Sequence, residues 1–298
     1  MFGIFNIYKP KGITSRDCVD HFQKLFWPLK VGHAGTLDPI AEGVLLIAVG
    51  QAVRLMEVLH ELPKSYRGTF WFNRRSESAD TETEMELLPH LEIPSRERLE
   101  SVLPEFTGRI FQRPPIYSAI RVEGVRAYDL ARKGRTVEVP EREVSIHQIK
   151  LVQYIDDRFT IDVECDGGTY IRSLGRDIAR VCGSDAVMSA LIRTGVGRCR
   201  VEDAISLEKV ETKADAEPHL INPVALLPRN RVILSDQEVK LMRNGVYLTI
   251  YDERIVQNEE NPTNVSEEMI AVDLEGKLRS IMTRREGLQW GGSKNFDP

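Results

Sequence analysis

The stretch Gly32-His33-Ala34-Gly35-Thr36-Leu37-Asp38-Pro39 constrains this chain more than any other segment, because it fixes a carboxylate within a rigid turn. Its two glycines can take positive φ, and Pro39 fixes its own φ and pushes Asp38 into extended geometry. The apolar run from Val44 to Val49 then reads as a buried strand. Asp38 is therefore expected at the edge of a sheet, beside glycines that let a large ligand come close. On its own, such an aspartate is more often a turn-former than a catalyst. The rest of the chain decides between the two.

At 298 residues the chain can hold one large domain, or a medium and a small one. With 42% hydrophobic and 29% charged residues, a sizeable core under a well-solvated surface is expected. No stretch approaches the roughly 20 apolar residues of a membrane span, and the start lacks the basic region of a signal peptide. Cys18, Cys165, Cys182 and Cys199 form no C-x-x-C pair, which argues against zinc and disulfides and fits a reducing cytosol. The six histidines form no ligand cluster, so no metal is expected. These features predict a soluble cytoplasmic protein without a metal site.

The net charge of −5 looks wrong for binding a polyanion, yet the charges are unevenly spread. Arg109 to Arg135 holds seven cationic residues against Glu123 and Asp129, and Arg172 to Arg200 holds six against Asp177 and Asp185. Acidity gathers instead in Glu77–Glu86 and Asp252–Glu275. A local basic face on an acidic protein is thus expected, although charge runs are usually just solvated faces.

Gly3 to Tyr8 reads as a strand, followed by a Pro-Gly turn and a helix capped by Thr14 or Ser15 and stopped by Pro28. Ala52 to Leu62 reads as an amphipathic helix, and Tyr66, Gly68, Phe70 and Phe72 alternate as a strand does. The cleanest strand is Phe159 to Cys165. After it, Thr169 is placed to cap a helix with Ile171, Leu174, Ile178 and Val181 on one face and Arg172, Arg176 and Arg180 on another. Strands interleaved with helices predict an α+β fold on a mixed sheet with flanking helices. Composition shifts near Pro223–Pro228, so residues 1–230 read as one domain and 231–298 as a small, mostly β domain. Val246–Tyr251 and Met269–Asp273 read as β pieces, and Val256–Glu268 as a polar loop.

Five blocks of residues carry the chemistry. They are Asn6-x-x-Lys9-Pro10-x-Gly12-x-x-Ser15; the Asp38 segment continuing to Ile40-Ala41-Glu42-Gly43-Val44-Leu45; and Lys64-x-Tyr66. Next comes Gln112-x-Pro114-Pro115-x-Tyr117-Ser118-Ala119, with Gly124-x-Arg126-Ala127-Tyr128-x-x-Ala131-Arg132-x-Gly134. Last is Gly168-Thr169-Tyr170-Ile171-Arg172-Ser173-Leu174, with Leu191-x-Arg193-Thr194-x-x-Gly197. In order and spacing these resemble the motifs of the TruB family of tRNA pseudouridine synthases, over roughly residues 3–230.

The resemblance implies a pseudouridine-synthase-like catalytic domain in which Asp38 is the catalytic carboxylate. The reaction is an isomerisation: uracil leaves C1′ of its ribose, turns, and rejoins through C5. It needs no cofactor. Asp38 can attack the sugar or the ring, or abstract a sugar proton. A pocket dry enough to hold a base raises the pKa of Asp38, and the matching arginine, Arg172, is expected to reverse that shift. Tyr66, from the Lys64-x-Tyr66 motif, is expected to stack on uracil, with Leu191 walling the other side. His33 takes the space of an extruded nucleotide, since a uridine in a folded loop is reached only by base flipping. Lys9 and Pro10 brace the active-site loop. An arm at about residues 108–140 is expected to grip RNA phosphates through Arg121, Arg126 and Arg132.

The substrate so implied is the T-loop uridine of tRNA, position 55 in tRNA numbering. The protein is expected to be a monomer of the bacterial, stand-alone type with no obligate protein partner. The segment 231–298 is only loosely similar to the family's small RNA-binding β domain, a PUA-like module. Other departures are Arg121 where lysine is usual, Ile192 within the Leu-Arg-Arg motif, and the loop 72–84. Two rival readings are a related synthase with a different or guided RNA target, and a non-catalytic RNA-binding or RNA-folding protein on the same scaffold.

Overall fold

A computed structural model describes residues 2–117, 121–122, 125–126, 139–258 and 267–297. The first strand, β1 (Gly3–Lys9), leads to helix α1 (Ser15–Phe26). Thr14 caps that helix: its hydroxyl accepts from the Asp17 amide while the Asp17 carboxylate accepts from the Thr14 amide, a reciprocal capping box. Strand β2 (Val31–Ala34) and the Asp38 loop precede β3 (Ala41–Val49). The expected single helix over 52–62 is instead a 3-10 turn, Gly50–Leu55, running into a short α2 (Met56–Glu61). Strands β4 (Lys64–Phe72), β5 (Gly108–Gln112), β6 (Arg142–Ile155) and β7 (Arg158–Cys165) follow, then α3 (Ile171–Val181) and β8 (Ala186–Val196).

These strands belong to one ten-stranded mixed sheet. Its order is Ile205–Ser206, β1, β3, β8, β4, β7, β6, β5, with β2 also on β3 and Cys199–Arg200 on β8. The pairing of β3 with β8 is parallel, whereas β1–β3, β8–β4, β4–β7, β7–β6 and β6–β5 are antiparallel. Helix α1 covers one face through Cys18, Val19, Phe22 and Phe26, which meet Phe5, Ile7, Leu45 and Ile47. Helix α3 packs on Phe70 and Phe159 through Ile171, Leu174 and Ile178. Gly175 permits this approach, since a Cβ there would stand 2.0 Å from the Phe70 ring. The helix that carries Arg172 is thereby seated directly on the strand that carries Tyr66.

Thr169 does not cap α3. Tyr170 holds the cap position without a side-chain bond, and the Thr169 hydroxyl donates to the Asp166 carbonyl at 3.1 Å, closing the preceding turn instead. The expected basic face from Arg172 to Arg200 is only partly there. Arg172 and Arg193 are buried, at 4% and 1% exposure, and Arg180 pairs with Asp185 at 3.3 Å. The helical period is present, but Arg172 and Arg193 turn inward to buried groups, while Arg180, Arg198 and Arg200 remain exposed.

A second, six-stranded sheet contains β9 (Arg231–Ile233), β10 (Leu248–Thr249), β11 (Ile255–Val256), β12 (Glu268–Val272), β13 (Leu278–Arg284) and β14 (Gln289–Asn295). The piece expected over 246–251 is only the two-residue β10. A helix, α4 (Asp236–Arg243), which sequence reading had not marked, packs Val239 and Met242 against Val232 and Trp290. The other side of this sheet meets the first: Ile270, Ile281 and Phe296 share a cluster with Ile4, Val44 and Leu46. The architecture is α+β with a C-terminal β domain. Among the described residues no helix is long and apolar enough to cross a membrane.

Candidate active site

Strands β2 and β8 lie end to end along one edge of β3. Residues Leu46–Val49 pair with β2, and Ala41–Gly43 pair with β8. The loop carrying Asp38 joins β2 to β3 at this junction. Val44 lies between the two pairings, and its carbonyl accepts from Arg193 Nε at 2.6 Å. The same guanidinium donates through Nη2 to the Gly35 carbonyl at 3.1 Å, tying the loop to the sheet.

Two further ties fix the loop. The Leu37 amide donates to Ser15 Oγ at 2.8 Å, and Ser15 Oγ donates back to the Leu37 carbonyl at 3.1 Å. The Gly12 amide donates to the Pro39 carbonyl at 2.7 Å. Buried Leu37 and Ile40 then anchor the segment in the core. Lys9 lies beneath, with no exposed surface, and donates to the carbonyls of Pro10 at 2.9 Å and Ile13 at 2.7 Å. Lys9 and Pro10 thus hold together the turn on which the Asp38 loop rests. Burial lowers the Lys9 pKa.

Arg172 Nη2 stands 3.0 Å from Asp38 Oδ2. The same guanidinium donates through Nη1 to Asp80 Oδ2 at 3.1 Å and to the Ser78 carbonyl at 2.9 Å, and through Nη2 to the Tyr117 carbonyl at 2.9 Å. Asp80 is wholly buried, and its other oxygen accepts from Ser78 Oγ at 2.5 Å and from the Glu82 amide at 2.9 Å. Sharing has a consequence. Burial pushes the Asp38 pKa up, Arg172 pulls it down, and Asp80 pushes it up again, so that it remains raised. The expected reversal by Arg172 does not occur, because burial outweighs its pull and Asp80 adds to the upward push.

Asp38, Lys64, Tyr66, Arg172 and Leu191 line one cavity of about 300 Å³, together with Arg193, Tyr170, Arg142 and His60. Tyr66 pairs with Arg193 on β8 and Val163 on β7, and Leu191 lies two positions along β8. The ring and the leucine thus project from adjacent strands into the space beside Asp38. Burial raises the Tyr66 hydroxyl pKa, opposed by the neighbouring Arg193. Burial lowers the Lys64 pKa to about 8, and its ammonium donates to the His60 carbonyl.

His33 is on β2 and is not among the residues lining this cavity. It is partly buried, its Nδ1 has no hydrogen-bond partner, and burial lowers its pKa. Arg121 and Arg126 fall on two-residue strands that pair with each other, with side chains outside the description, and Arg132 lies outside the described residues.

Sequence reading gave no role to Asp80, Arg193 or Gln112. Gln112 donates to the Tyr170 carbonyl at 3.0 Å and accepts from the Tyr170 amide at 2.7 Å, clamping the residue that opens α3. Asp80 sits in a run of acidic and hydroxyl residues that looks like solvated loop. Only its delivery beneath Arg172 reveals it. Arg193 and Gln112 were both inside the motif blocks, which was the one available signal.

This arrangement can do nucleophilic or general-base chemistry on a flat ligand: a carboxylate held by a guanidinium, an aromatic wall and an apolar wall. Residues 23–171 match the model of the TruB family pseudouridylate synthase (N terminal domain). A tRNA pseudouridine synthase B of Lactobacillus gasseri is 35% identical over 297 residues, covering 96% of this chain and 95% of the relative. One of Rhodopirellula baltica is 42% identical over 209 residues, covering 68% of this chain and 60% of the relative, so the chain spans about three-fifths of that protein. A solved structure described as a Cbf5-Nop10-Gar1 complex is similar with a TM-score of 0.75 at 22% identity, over all of this chain and 85% of the other, which is a likeness of fold.

Proposed function

The chain belongs to the TruB family of pseudouridylate synthases, and we propose that it isomerises the T-loop uridine of tRNA, position 55, with Asp38 as the catalytic carboxylate. The observation that carries this reading is the 3.0 Å contact of Asp38 with Arg172 in a cavity walled by Tyr66 and Leu191. An ionised Asp38 is the species that can attack the ribose or the ring, or take a sugar proton. Tyr66 offers uracil a stacking face while the base is detached and turned. Each route breaks the bond from N1 to C1′, forms one from C5 to C1′, releases the proton from C5 and leaves a proton on N1, so that no atom is gained or lost overall.

A cavity of this size takes a base and its sugar, so the uridine has to leave its stack, at a cost of a few kcal/mol. His33, on the strand before the Asp38 loop, is assigned to the space vacated. The proposed division is a catalytic domain at 1–230, with an RNA-gripping arm at about 108–140, and a small RNA-binding, PUA-like domain at 231–298. The protein acts in the cytoplasm as a monomer without guide RNA, metal or cofactor. The test is to incubate purified protein with an unmodified tRNA transcript, no metal or cofactor added, and map pseudouridine. Conversion at the T-loop alone supports the reading. Conversion elsewhere transfers the enzyme to another target, and none at all leaves an RNA-binding protein.

A further inference from the structure

Arg142 opens β6 and lines the same cavity as Asp38, yet no carboxylate among the described residues pairs with it. Its neighbours in sequence are both acidic and both engaged elsewhere: Glu141 with Arg113 at 3.2 Å, and Glu143 with Arg109 at 3.6 Å. Among the described residues Arg142 forms no ion pair, and its Nε is buried without a hydrogen-bond partner. The residue as a whole is partly exposed, but a guanidinium nitrogen cut off from water is ordinarily hydrogen-bonded, because leaving it without a partner is costly.

The surroundings hold the group in a fixed orientation. The guanidinium carbon lies 4.8 Å from the centre of the Tyr170 ring, so one face is occupied. Gly168, at φ +92°, lies against the guanidinium: a Cβ there would stand 3.1 Å from Nη2. A Cβ at Gly167 would stand 3.1 Å from Lys64 Nζ. The Gly167–Gly168 turn therefore brings two cations, Arg142 and Lys64, to one side of the cavity, while the carboxylates Asp38 and Asp80 are gathered around Arg172. A planar fork whose face is stacked presents its N–H edge to a ligand, the geometry that suits a phosphate.

We propose that Arg142, with Lys64 beside it, forms a subsite for a phosphodiester adjoining the uridine that enters the cavity. The inference rests on the reading of the site as one that takes a nucleotide from an RNA chain. It assigns Arg142 to the backbone and not to the reacting base, so that binding of the charged linkage draws the sugar in toward Asp38.

The experiment measures affinity of a T-stem-loop hairpin in which each of the two linkages flanking the target uridine is replaced in turn by an uncharged methylphosphonate. Wild-type protein is expected to lose about tenfold in affinity at one of the two positions. Arg142→Gln is expected to lose about tenfold on the charged hairpin and nothing more on that neutral one. Its KM rises more than its kcat falls, and its salt slope flattens by about 0.7–0.9. Arg142→Lys, which keeps the charge, still discriminates between the two hairpins. If Arg142→Gln fails to fold, the wild-type and lysine proteins decide alone. No discrimination by wild type, or losses that multiply in Arg142→Gln, overturns the subsite. A failed functional reading looks different: wild type binds the hairpin and forms no pseudouridine.

Discussion

Arg172 divides one guanidinium between two carboxylates, Asp80 through Nη1 at 3.1 Å and Asp38 through Nη2 at 3.0 Å. Asp80 receives three donors, from Ser78 Oγ, the Glu82 amide and Arg172, and has no exposed surface. Its role is to set where the guanidinium stands, and Asp38 takes what remains.

Asp80→Asn therefore puts an amide N–H where only acceptors fit, and turns Arg172 away from Asp38. The single-turnover rate at saturating RNA is expected to fall at least tenfold, about 1.4 kcal/mol or more, with RNA affinity changed much less. An unaltered rate would remove Asp80 from the network.

The raised pKa of Asp38 sets an acid limit on activity and a sign on stability. Arg172 and Lys9 favour the carboxylate, whereas burial and Asp80 oppose it. Activity is lost as pH falls through the raised value, above the ordinary 3.8 of an aspartate. A raised folded-state pKa adds stability that is complete below the unfolded value and is lost as pH rises through the folded one. Near neutral pH the ionised carboxylate thus costs stability, and Asp38→Asn is expected not to lower the melting temperature. A clear drop measured by calorimetry at pH 7 would contradict this electrostatic account.

Tyr66→Leu keeps an apolar side chain but supplies neither the flat face nor the hydroxyl, so activity is expected to be lost. Tyr66→Phe keeps the face and is expected to retain a larger share of turnover. Comparing the two rates on one transcript separates stacking from hydroxyl chemistry. A leucine variant at wild-type rates would reduce Tyr66 to a core residue.

The arm cations are assigned to phosphates from sequence. Replacing two of Arg121, Arg126, Arg132 and Lys133 with Ala is expected to weaken tRNA binding and flatten the dependence of log K on log salt by roughly 1 to 2 units. Turnover at saturating tRNA is expected to change less than affinity. An unchanged slope and affinity would make these cations a solvated face.

The elements that place Asp38 and Tyr66 were legible because they are local. A proline after the aspartate, a Thr or Ser cap before α1 and the alternation of Tyr66, Gly68, Phe70 and Phe72 along β4 all act within a few residues. What escaped depends on long-range placement. Asp80 reaches Arg172 across 92 positions, and Arg193 reaches the Val44 carbonyl across 149. No spacing rule marks an arginine whose partners are carbonyls left between two strands. The expected basic stripe on α3 holds only in part for the same reason: helical period gives a shared face, but not which guanidinium on it meets water, as Arg180 does, and which meets a buried aspartate, as Arg172 does. Thr169 is similar, a good cap by type that the Asp166 carbonyl claims first.

Forming pseudouridine exchanges the hydrogen at C5 for the bond to C1′. The central claim is therefore tested most directly by tritium release from a tRNA transcript labelled at C5 of uridine, comparing wild type with Asp38→Asn at saturating enzyme. The account predicts release from wild type equivalent to one uridine per tRNA, located in the T-loop. It predicts none from Asp38→Asn, whose tRNA affinity stays within a few-fold of wild type. Release from Asp38→Asn at a rate near that of wild type would contradict it.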